Sequence, residues 1–276
     1  MIVPQRSRRG RLSNFKQPMD AARFPVILTY HSISEGNSPL QIAPSLFAEQ
    51  MEWLHANVQV APLADVVSAL RNRRPLPERT VVLTFDDGFS DFYSSAAPVL
   101  RKLKLPAMLF VLTGLCGKTR DGPAQEIAGI MRRPVLDWQQ VAELAQQGFE
   151  LGAHSVSHPV LPDLAAEEAK REIADSKAEL QQRTGQAVDF FAYPYGRWSP
   201  AVRAVVQEHY RGACSTGAGV VQPDADPFAL PRVDVHYLRR PAWFRTLFTT
   251  RFLTYVAGRR FIRRIRNQPE GIYARI

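Results

Sequence analysis

Cysteine is scarce in this chain of 276 residues, and long apolar runs are absent from it. The two cysteines, Cys116 and Cys214, form no C-x-x-C pattern, which excludes a disulfide-rich scaffold and a zinc ribbon built from cysteines. No apolar stretch reaches the roughly 18 residues that a transmembrane helix needs, so we expect no transmembrane helix. The first 24 residues are basic but lack an apolar core and a cleavage site, so we expect no secretory signal.

Positive charge is concentrated at the two ends of the chain, whose total charge is +9. Residues 1–24 contain six basic side chains and one acid, a net +5, and residues 239–276 contain ten arginines and one acid, a net +9. The body between them therefore carries −5. With 45% hydrophobic residues, this body can bury one sizeable core. We therefore expect a basic arm at 1–24, one domain at 25–238 and a basic aromatic segment at 239–276.

The C-terminal segment interleaves aromatic side chains with arginines from Trp243 to Phe261. If this segment forms an amphipathic helix with an arginine face, the helix could contact an anionic membrane. A helix that closes the domain, with its arginines in solvent, is the alternative interpretation and the more common arrangement. No base-stacking or groove-reading motif accompanies the charge, so no nucleic acid partner is expected. Without a signal peptide or a transmembrane helix, we expect the protein in the cytoplasm or peripheral at the inner membrane surface.

Short apolar runs alternate with longer helical patterns, which is typical of βα units in an α/β protein. The helical patterns include residues 138–147, stopped by Gly148, and residues 166–184, followed by Gly185. Seven runs predict strands, at residues 25–30, 80–85, 107–112, 149–153, 188–192, 210–215 and 232–235. About seven parallel strands with crossover helices predict a distorted (β/α) barrel, in which the loops at the strand carboxyl ends carry the chemistry.

Carboxylates and histidines follow two of these predicted strands. Asp86 and Asp87 end the second run, before a glycine that lets the backbone turn, although an ordinary Asp-Asp-Gly turn would look the same. His154 and His158 follow the fourth run, at a spacing that would place both rings on one face of a helical turn. Two histidines and one carboxylate are three ligands of the kind that catalytic zinc takes, with a fourth position for water.

A second carboxylate beside such a metal would make the site hydrolytic. A divalent ion lowers the pKa of its bound water and polarises a carbonyl, while an unligated carboxylate accepts the water's proton. The fifth run ends in FAYPYG at residues 191–196, a sharp loop that could direct the backbone N–H of Tyr195 towards an oxyanion. An aromatic strand end packed only for stability is the alternative interpretation.

These segments together resemble the polysaccharide deacetylases of the NodB-homology type, carbohydrate esterase family four, over residues 25–237. TFDDG at 84–88 matches the first motif of that family, HSVSH at 154–158 its second, and YPYG at 193–196 most of its third. YHS at 30–32 is similar to the opening of the branch that contains poly-N-acetylglucosamine deacetylases.

The resemblance implies a NodB-like distorted (β/α) barrel that binds one divalent metal through Asp87, His154 and His158. It implies Asp86 as the general base, and the backbone N–H of Tyr195 is then the expected oxyanion donor. Zn²⁺ is the expected ion, and Co²⁺ or Ni²⁺ could replace it. The implied reaction is hydrolytic removal of N-acetyl groups, less often O-acetyl groups, from an N-acetylated glycan in exopolysaccharide or cell-surface glycan metabolism.

The chain also departs from the family pattern. Many members open the third motif with an arginine that pairs with the base, but Ala192 stands there, so another group must orient Asp86. His236 matches the histidine of the fifth motif and is the expected general acid, with a plain surface histidine as the alternative. His31, which follows the first strand, could be the histidine of the catalytic rim instead of His236.

The substrate wall is the least defined part of the expected site, because the fourth motif has no clear copy. Tyr193, Pro194, Trp138 and Trp198 are the candidates for contacts with the sugar. Two alternatives stay open for the function as a whole. One is a glycan-binding scaffold without turnover, and the other is a deacetylase of a lipid-linked sugar or a small cyclic amide.

Overall fold

The computed structural model describes residues 21–118 and 133–265, which form alternating strands and helices. Most of the predicted basic arm at 1–24 therefore lies outside the described residues. The strands there are β1 (Val26–Tyr30), β2 (Ser32–Ile33), β3 (Gln41–Ile42), β4 (Gln59–Val60), β5 (Thr80–Phe85), β6 (Met108–Val111), β7 (Glu150–Ala153), β8 (Phe190–Ala192), β9 (Gly212–Ala218) and β10 (Leu230–Asp234). The α-helices are α1 (Pro44–Asn57), α2 (Leu63–Asn72), α3 (Ala97–Lys102), α4 (Trp138–Gln146), α5 (Ala166–Thr184), α6 (Pro200–His209), α7 (Pro241–Phe244) and α8 (Thr250–Ile265).

Seven of these strands close into a parallel barrel in the order β1-β10-β9-β8-β7-β6-β5, and β5 pairs back with β1. The β1–β5 register runs from Val26 opposite Val81 to Tyr30 opposite Phe85. The edge of β5 opposite to β1 pairs with two strands. Strand β4 pairs with the first residues of β5, and β6 pairs with its last residues. The α/β class and the seven-stranded distorted barrel are confirmed. Each predicted run overlaps one barrel strand, and the ends differ by at most three residues.

Both faces of the barrel strands are buried, as parallel strands between helices require. All residues of β1 and β5 are buried. Their side chains alternate between two apolar clusters. Ile27 and Val82 join a small cluster with side chains from β6, β8, β9, β10 and helix α2. Leu28 and Leu83 join the larger cluster that the strands share with the surrounding helices.

The helices begin and end where the local sequence allows. Asp137 accepts the backbone N–H of Gln140 at 2.7 Å, and the Gln140 side chain accepts the N–H of Asp137, so a capping box starts α4. Helix α5 ends at Gly185, whose φ of +66° is the left-handed conformation that glycine adopts most easily. Both predicted helices are therefore present.

The aromatic C-terminal segment packs on the domain through α7 and the first part of α8. The rings of Trp243 and Tyr255 lie 4.8 Å apart, and the Arg251 guanidinium lies 4.4 Å from the Trp243 ring centre. Phe261, in contrast, is 64% exposed. The buried apolar residues of this segment are Phe244, Leu247, Phe248, Phe252 and Val256. Within the described ranges, no helix has the length and apolar character needed to span a bilayer.

Candidate active site

The chemically active side chains meet at one rim of the barrel. Asp86 and Asp87 follow β5, His154 follows β7, and His31 follows β1. Arg232 lies on β10, which pairs with β1. All these strands are parallel, so their carboxyl ends lie at the same rim, and residues far apart in sequence come together there.

Asp87, His154 and His158 form a buried cluster of metal-ligating type. Each offers one ligand atom, and the three atoms lie within 4.8 Å of one another. The Nε2 atoms of His154 and His158 each lie 3.5 Å from Oδ1 of Asp87. Nδ1 of His154 lies 2.7 Å from the carbonyl oxygen of Ala192, which can only accept, so this nitrogen carries the proton. In the neutral ring, Nε2 then presents a lone pair towards Asp87.

This donor set fits a divalent cation. Two imidazole nitrogens and one carboxylate oxygen form the three-ligand set of open, catalytic zinc sites. A ligand histidine that donates its other N–H to a backbone carbonyl, as His154 does to Ala192, is the usual support of such a site. The cluster can therefore hold a metal ion, and the donor atoms do not distinguish zinc from cobalt or nickel.

Two consecutive left-handed residues bend the chain directly after β5. Asp87 has a φ of +70° and Gly88 a φ of +64°. On a regular strand Asp86 and Asp87 would point to opposite faces. Because the strand ends in this turn, Asp87 faces the histidines while Asp86 points into the barrel, where Arg232 binds it.

The two histidines do not lie on a helical turn, so that expectation is wrong. Residues 154–158 form a loop in which Ser155 and His158 have φ values of +72° and +65°. The loop folds back on itself, and the backbone N–H of His158 donates to Oγ of Ser155 at 2.9 Å. Both imidazoles reach Asp87 because of this loop conformation rather than because of a helical repeat.

Arg232 holds Asp86 in a buried, two-pronged ion pair. Its two terminal nitrogens donate to the two carboxylate oxygens of Asp86 at 2.8 and 2.6 Å. Its Nε donates to the carbonyl of Ser215 at 2.9 Å, and one terminal nitrogen also contacts Oγ1 of Thr84 at 3.2 Å. Burial raises the pKa of Asp86, but the charge of Arg232, then that of His154, outweighs burial, so the pKa lies below its ordinary value. Asp86 is therefore held as a carboxylate.

Sequence reasoning did not identify Arg232 as a site residue. It showed only that the arginine of the third motif is replaced by Ala192 and that Asp86 needs another partner. The available signal was an arginine inside a predicted barrel strand, in the sequence RVDV at 232–235. An arginine that is 2% exposed on a barrel strand requires an acidic partner, and Asp86 is that partner.

His31 and Asp234 flank Asp86 at the rim. His31 is 7% exposed, and its positive charge would lower the pKa of both Asp86 and Asp234. Burial is the largest influence on Asp234 and raises its pKa, with His31 as the main opposing charge. The imidazole of His31 therefore lies close to two carboxylates.

His236 lies in a different environment from His31. Burial, followed by the charges of Arg239 and Arg259, lowers its pKa to about 4. Its ring packs edge-on against Tyr237, with the ring centres 5.4 Å apart. Unlike His31, His236 is not among the charges that set the pKa of Asp86. His236, which the sequence predicted as the general acid, is thus a neutral ring at pH 7 beside Arg239 and Arg259.

Tyr195 adopts a left-handed conformation, with a φ of +58°, in the loop after β8. Its ring lies 4.5 Å from the ring of His158, so it forms one wall of the ligand cluster. Its carbonyl accepts from Oγ1 of Thr216 at 3.2 Å. The next residue, Gly196, has a φ of +67°, and a Cβ there would lie 2.0 Å from the Thr216 hydroxyl oxygen. The loop therefore requires glycine at this position.

Three of the four expected substrate contacts are not exposed side chains in the structure. Tyr193 is fully buried, and its hydroxyl donates to the carbonyl of Phe228 at 2.9 Å, so it is a core residue. Pro194 is buried next to it. The ring of Trp138 is covered by the Arg183 guanidinium, 5.1 Å from its centre, on the outer helices. The exposed candidate is Trp198, at 38%.

Comparison with known proteins identifies the family. The family model for polysaccharide deacetylase matches residues 73–211, about half of the chain. YxkH of Bacillus subtilis (strain 168), whose description carries the same family name, is 31% identical over 217 residues, which cover 78% of this chain and 72% of that protein. The chain belongs to the polysaccharide deacetylase family and is a hydrolase of that class.

Two further proteins refine the comparison. The poly-beta-1,6-N-acetyl-D-glucosamine N-deacetylase of Escherichia coli (strain K12) is 31% identical over 164 residues, which cover 56% of this chain but 23% of that longer protein. The solved structure of IcaB from Ammonifex degensii is 26% identical and superposes with a TM-score of 0.70, covering 82% of this chain and 96% of IcaB. The likeness to IcaB supports the barrel architecture.

Proposed function

We propose that this protein is a divalent-metal-dependent deacetylase that hydrolyses the N-acetyl groups of an N-acetylated sugar or polysaccharide. The observation that carries the proposal is the cluster of Asp87, His154 and His158 beside a second carboxylate, Asp86, held ionised by Arg232. Several relatives are named as deacetylases of poly-beta-1,6-N-acetyl-D-glucosamine, so β-1,6-linked N-acetylglucosamine oligomers are the first substrates to test.

Asp87, His154 and His158 would hold the metal, and Zn²⁺ is the ion we propose. The ion would lower the pKa of a bound water and polarise the acetamide carbonyl. Asp86 would accept the proton of the attacking water. Because the Arg232 ion pair keeps Asp86 ionised, it is ready to accept this proton at neutral pH.

We propose that His31, rather than His236, gives the proton to the leaving amine. His31 is buried at the end of β1, on the rim that carries Asp86, and it interacts electrostatically with Asp86 and Asp234. His236 has a pKa of about 4 and is neutral at pH 7. We expect His31→Gln to lower kcat on the order of 10²-fold and His236→Gln to retain kcat within a few-fold. Equal losses in both variants, or a loss only in His236→Gln, would restore His236 as the acid.

The remaining rim residues would orient the substrate. The backbone N–H of Tyr195 would stabilise the oxyanion, and the exposed ring of Trp198 would stack on a sugar. Trp198→Ala should then raise KM for oligomers more than it lowers kcat. An unchanged KM would remove Trp198 from the substrate wall.

Acetate release is the direct test of the substrate class. The rates with N-acetylglucosamine oligomers, a lipid-linked N-acetylated sugar, a nucleotide-linked sugar and a cyclic amide should be compared at equal enzyme concentration. We expect the oligomers to react fastest, and Asp87→Ala to abolish the reaction with all of them. Sugar binding by the parent without any acetate release would favour the glycan-binding scaffold instead. The missing arginine of the third motif no longer supports that alternative, because Arg232 occupies the corresponding role.

A peripheral membrane contact is a second candidate property, and we propose the end of α8 for it. Most aromatics of the segment pack on the domain, but Phe261 and Ile262 are 64% and 49% exposed beside the exposed Arg260. An apolar pair next to arginines suits an anionic bilayer surface. The variant with Phe261→Ser and Ile262→Ser should sediment less with phosphatidylglycerol vesicles, and equal sedimentation would reject the contact.

A further inference from the structure

A carboxylate on helix α5 binds the loop that connects the two ligand histidines. Oε2 of Glu172 accepts the backbone N–H groups of Val156 and Ser157, each at 2.9 Å. Oε1 of Glu172 accepts the hydroxyl of Ser157 at 2.6 Å. Hydrogen bonds to an ionised acceptor are short and strong, so three of them on one side chain fix this loop firmly.

The loop needs such support because two of its residues are in unfavourable conformations. Ser155 and His158 both have positive φ angles, and neither is glycine. Residues in this region persist only where the surrounding structure enforces it. The hydrogen bond from the His158 N–H to the Ser155 hydroxyl closes the loop from within. Glu172 is the side chain that holds it from the outside.

The loop is held on its other side by the segment after β6. The N–H of Gly114 donates to the carbonyl of Val156 at 2.9 Å. A Cβ on Gly114 would lie 2.7 Å from a methyl carbon of Val156 and 2.9 Å from its carbonyl oxygen, closer than real Cβ contacts allow. The backbone that carries Glu172 is anchored, because the adjacent Ile173 of α5 is fully buried in the core. The loop therefore lies between a close backbone contact and an anchored carboxylate.

We propose that Glu172 is a positioning residue of the metal site, which sets the affinity for the divalent ion by holding His158 towards Asp87. The inference rests on the proposed function, because it requires that Asp87, His154 and His158 bind a metal. Glu172 would not contact the ion. Loss of its three hydrogen bonds would let the loop relax and would move His158 Nε2 away from Asp87 Oδ1.

The test is the zinc affinity of Glu172→Ala, measured by competition with a chromophoric chelator. Outer residues that orient metal ligands typically change metal affinity by about 10–100-fold, and we expect a loss of that size. Glu168→Ala is the matched control, since Glu168 is exposed on the same helix, and it should bind zinc like the parent. Glu172→Gln can still accept both N–H groups and bond the Ser157 hydroxyl, so it should stay within about 3-fold of the parent.

Each outcome decides the proposal. Zinc binding by Glu172→Ala as tight as in the parent would overturn it, and an equal loss in Glu172→Gln would show that charge rather than loop position matters. The Co²⁺ absorption spectrum gives a second readout, because a displaced His158 changes the ligand field. If Glu172→Ala does not fold, Ser157→Ala replaces it and should bind zinc at least about 3-fold more weakly. An unchanged affinity there would overturn the proposal. A parent protein that binds no divalent ion would refute the proposed function, and this inference with it.

Discussion

The buried ion pair between Arg232 and Asp86 predicts a large loss of stability when only one partner is removed. Arg232→Met keeps most of the side-chain volume but leaves the Asp86 carboxylate 3% exposed with no guanidinium. Breaking a buried pair from one side costs about 3–5 kcal/mol. The two charge-assisted hydrogen bonds, at about 1.5–3 kcal/mol each, give a similar figure. We therefore expect the free energy of unfolding at pH 7 to fall by about 3–5 kcal/mol.

The double variant Arg232→Met, Asp86→Asn tests whether the uncompensated charge causes this loss. With neither charge present, the loss should shrink to about 1–2 kcal/mol, because replacing both partners avoids a buried charge. The remainder reflects the carbonyl of Ser215, which loses the Arg232 donor. Urea unfolding followed by circular dichroism gives the free energies, with equal m-values as the check on two-state behaviour. An Arg232→Met variant within about 1 kcal/mol of the parent, or a double variant as unstable as the single one, would refute this reasoning.

Three further predictions concern the left-handed glycines, the buried histidine and the metal. Gly196→Ala should lose more stability than Gly185→Ala. Both glycines have φ near +66°, which costs an alanine about 1–2 kcal/mol, but only at position 196 would the added Cβ also clash with Thr216. Equal losses in urea unfolding would contradict this prediction. The pKa of His236 is lowered to about 4 in the folded protein, so the unfolded chain binds a proton at a higher pH than the folded protein does. The free energy of unfolding should therefore fall as the pH drops from 6.5 to 4, by on the order of 1 kcal/mol for this partly exposed ring. His236→Gln should reduce that fall, whereas His55→Gln, at an exposed position, should not. Zinc at about 100 times its Kd should raise the free energy of unfolding by about 2.7 kcal/mol in the parent, and a similar rise in His158→Ala would count against the ligand assignment.

The architecture follows closely from the sequence, because it depends on local patterns. Each β-rich run between polar turns gives one barrel strand, and Gly185 ends α5 at the predicted place. The residues of β1 and β5 are mostly apolar, with threonine at three positions, which is the pattern of parallel strands buried on both faces. Local preference and tertiary packing agree in these segments, so sequence alone identifies them.

The site is less predictable, because it depends on contacts between distant segments. Arg232 and Asp86 are 146 positions apart, and only the barrel closure between β10, β1 and β5 brings them together. The spacing of His154 and His158 suggested a helical turn, but Ser155 and His158 adopt left-handed angles that no local preference favours. Tyr193 stands within a recognisable motif, yet its hydroxyl is satisfied inside the core. Motif membership therefore indicates the location of a residue better than its role.

The central claim is that one divalent ion is held by Asp87, His154 and His158 beside an unligated base, Asp86. The most direct test measures zinc per chain and acetate release together in the parent, Asp86→Asn and His154→Ala. We expect one zinc in the parent and in Asp86→Asn, with acetate release in Asp86→Asn reduced by about 10²–10⁴-fold, and weak or no zinc in His154→Ala. Acetate release by Asp86→Asn at the parental rate, or full zinc occupancy in His154→Ala, would contradict the account.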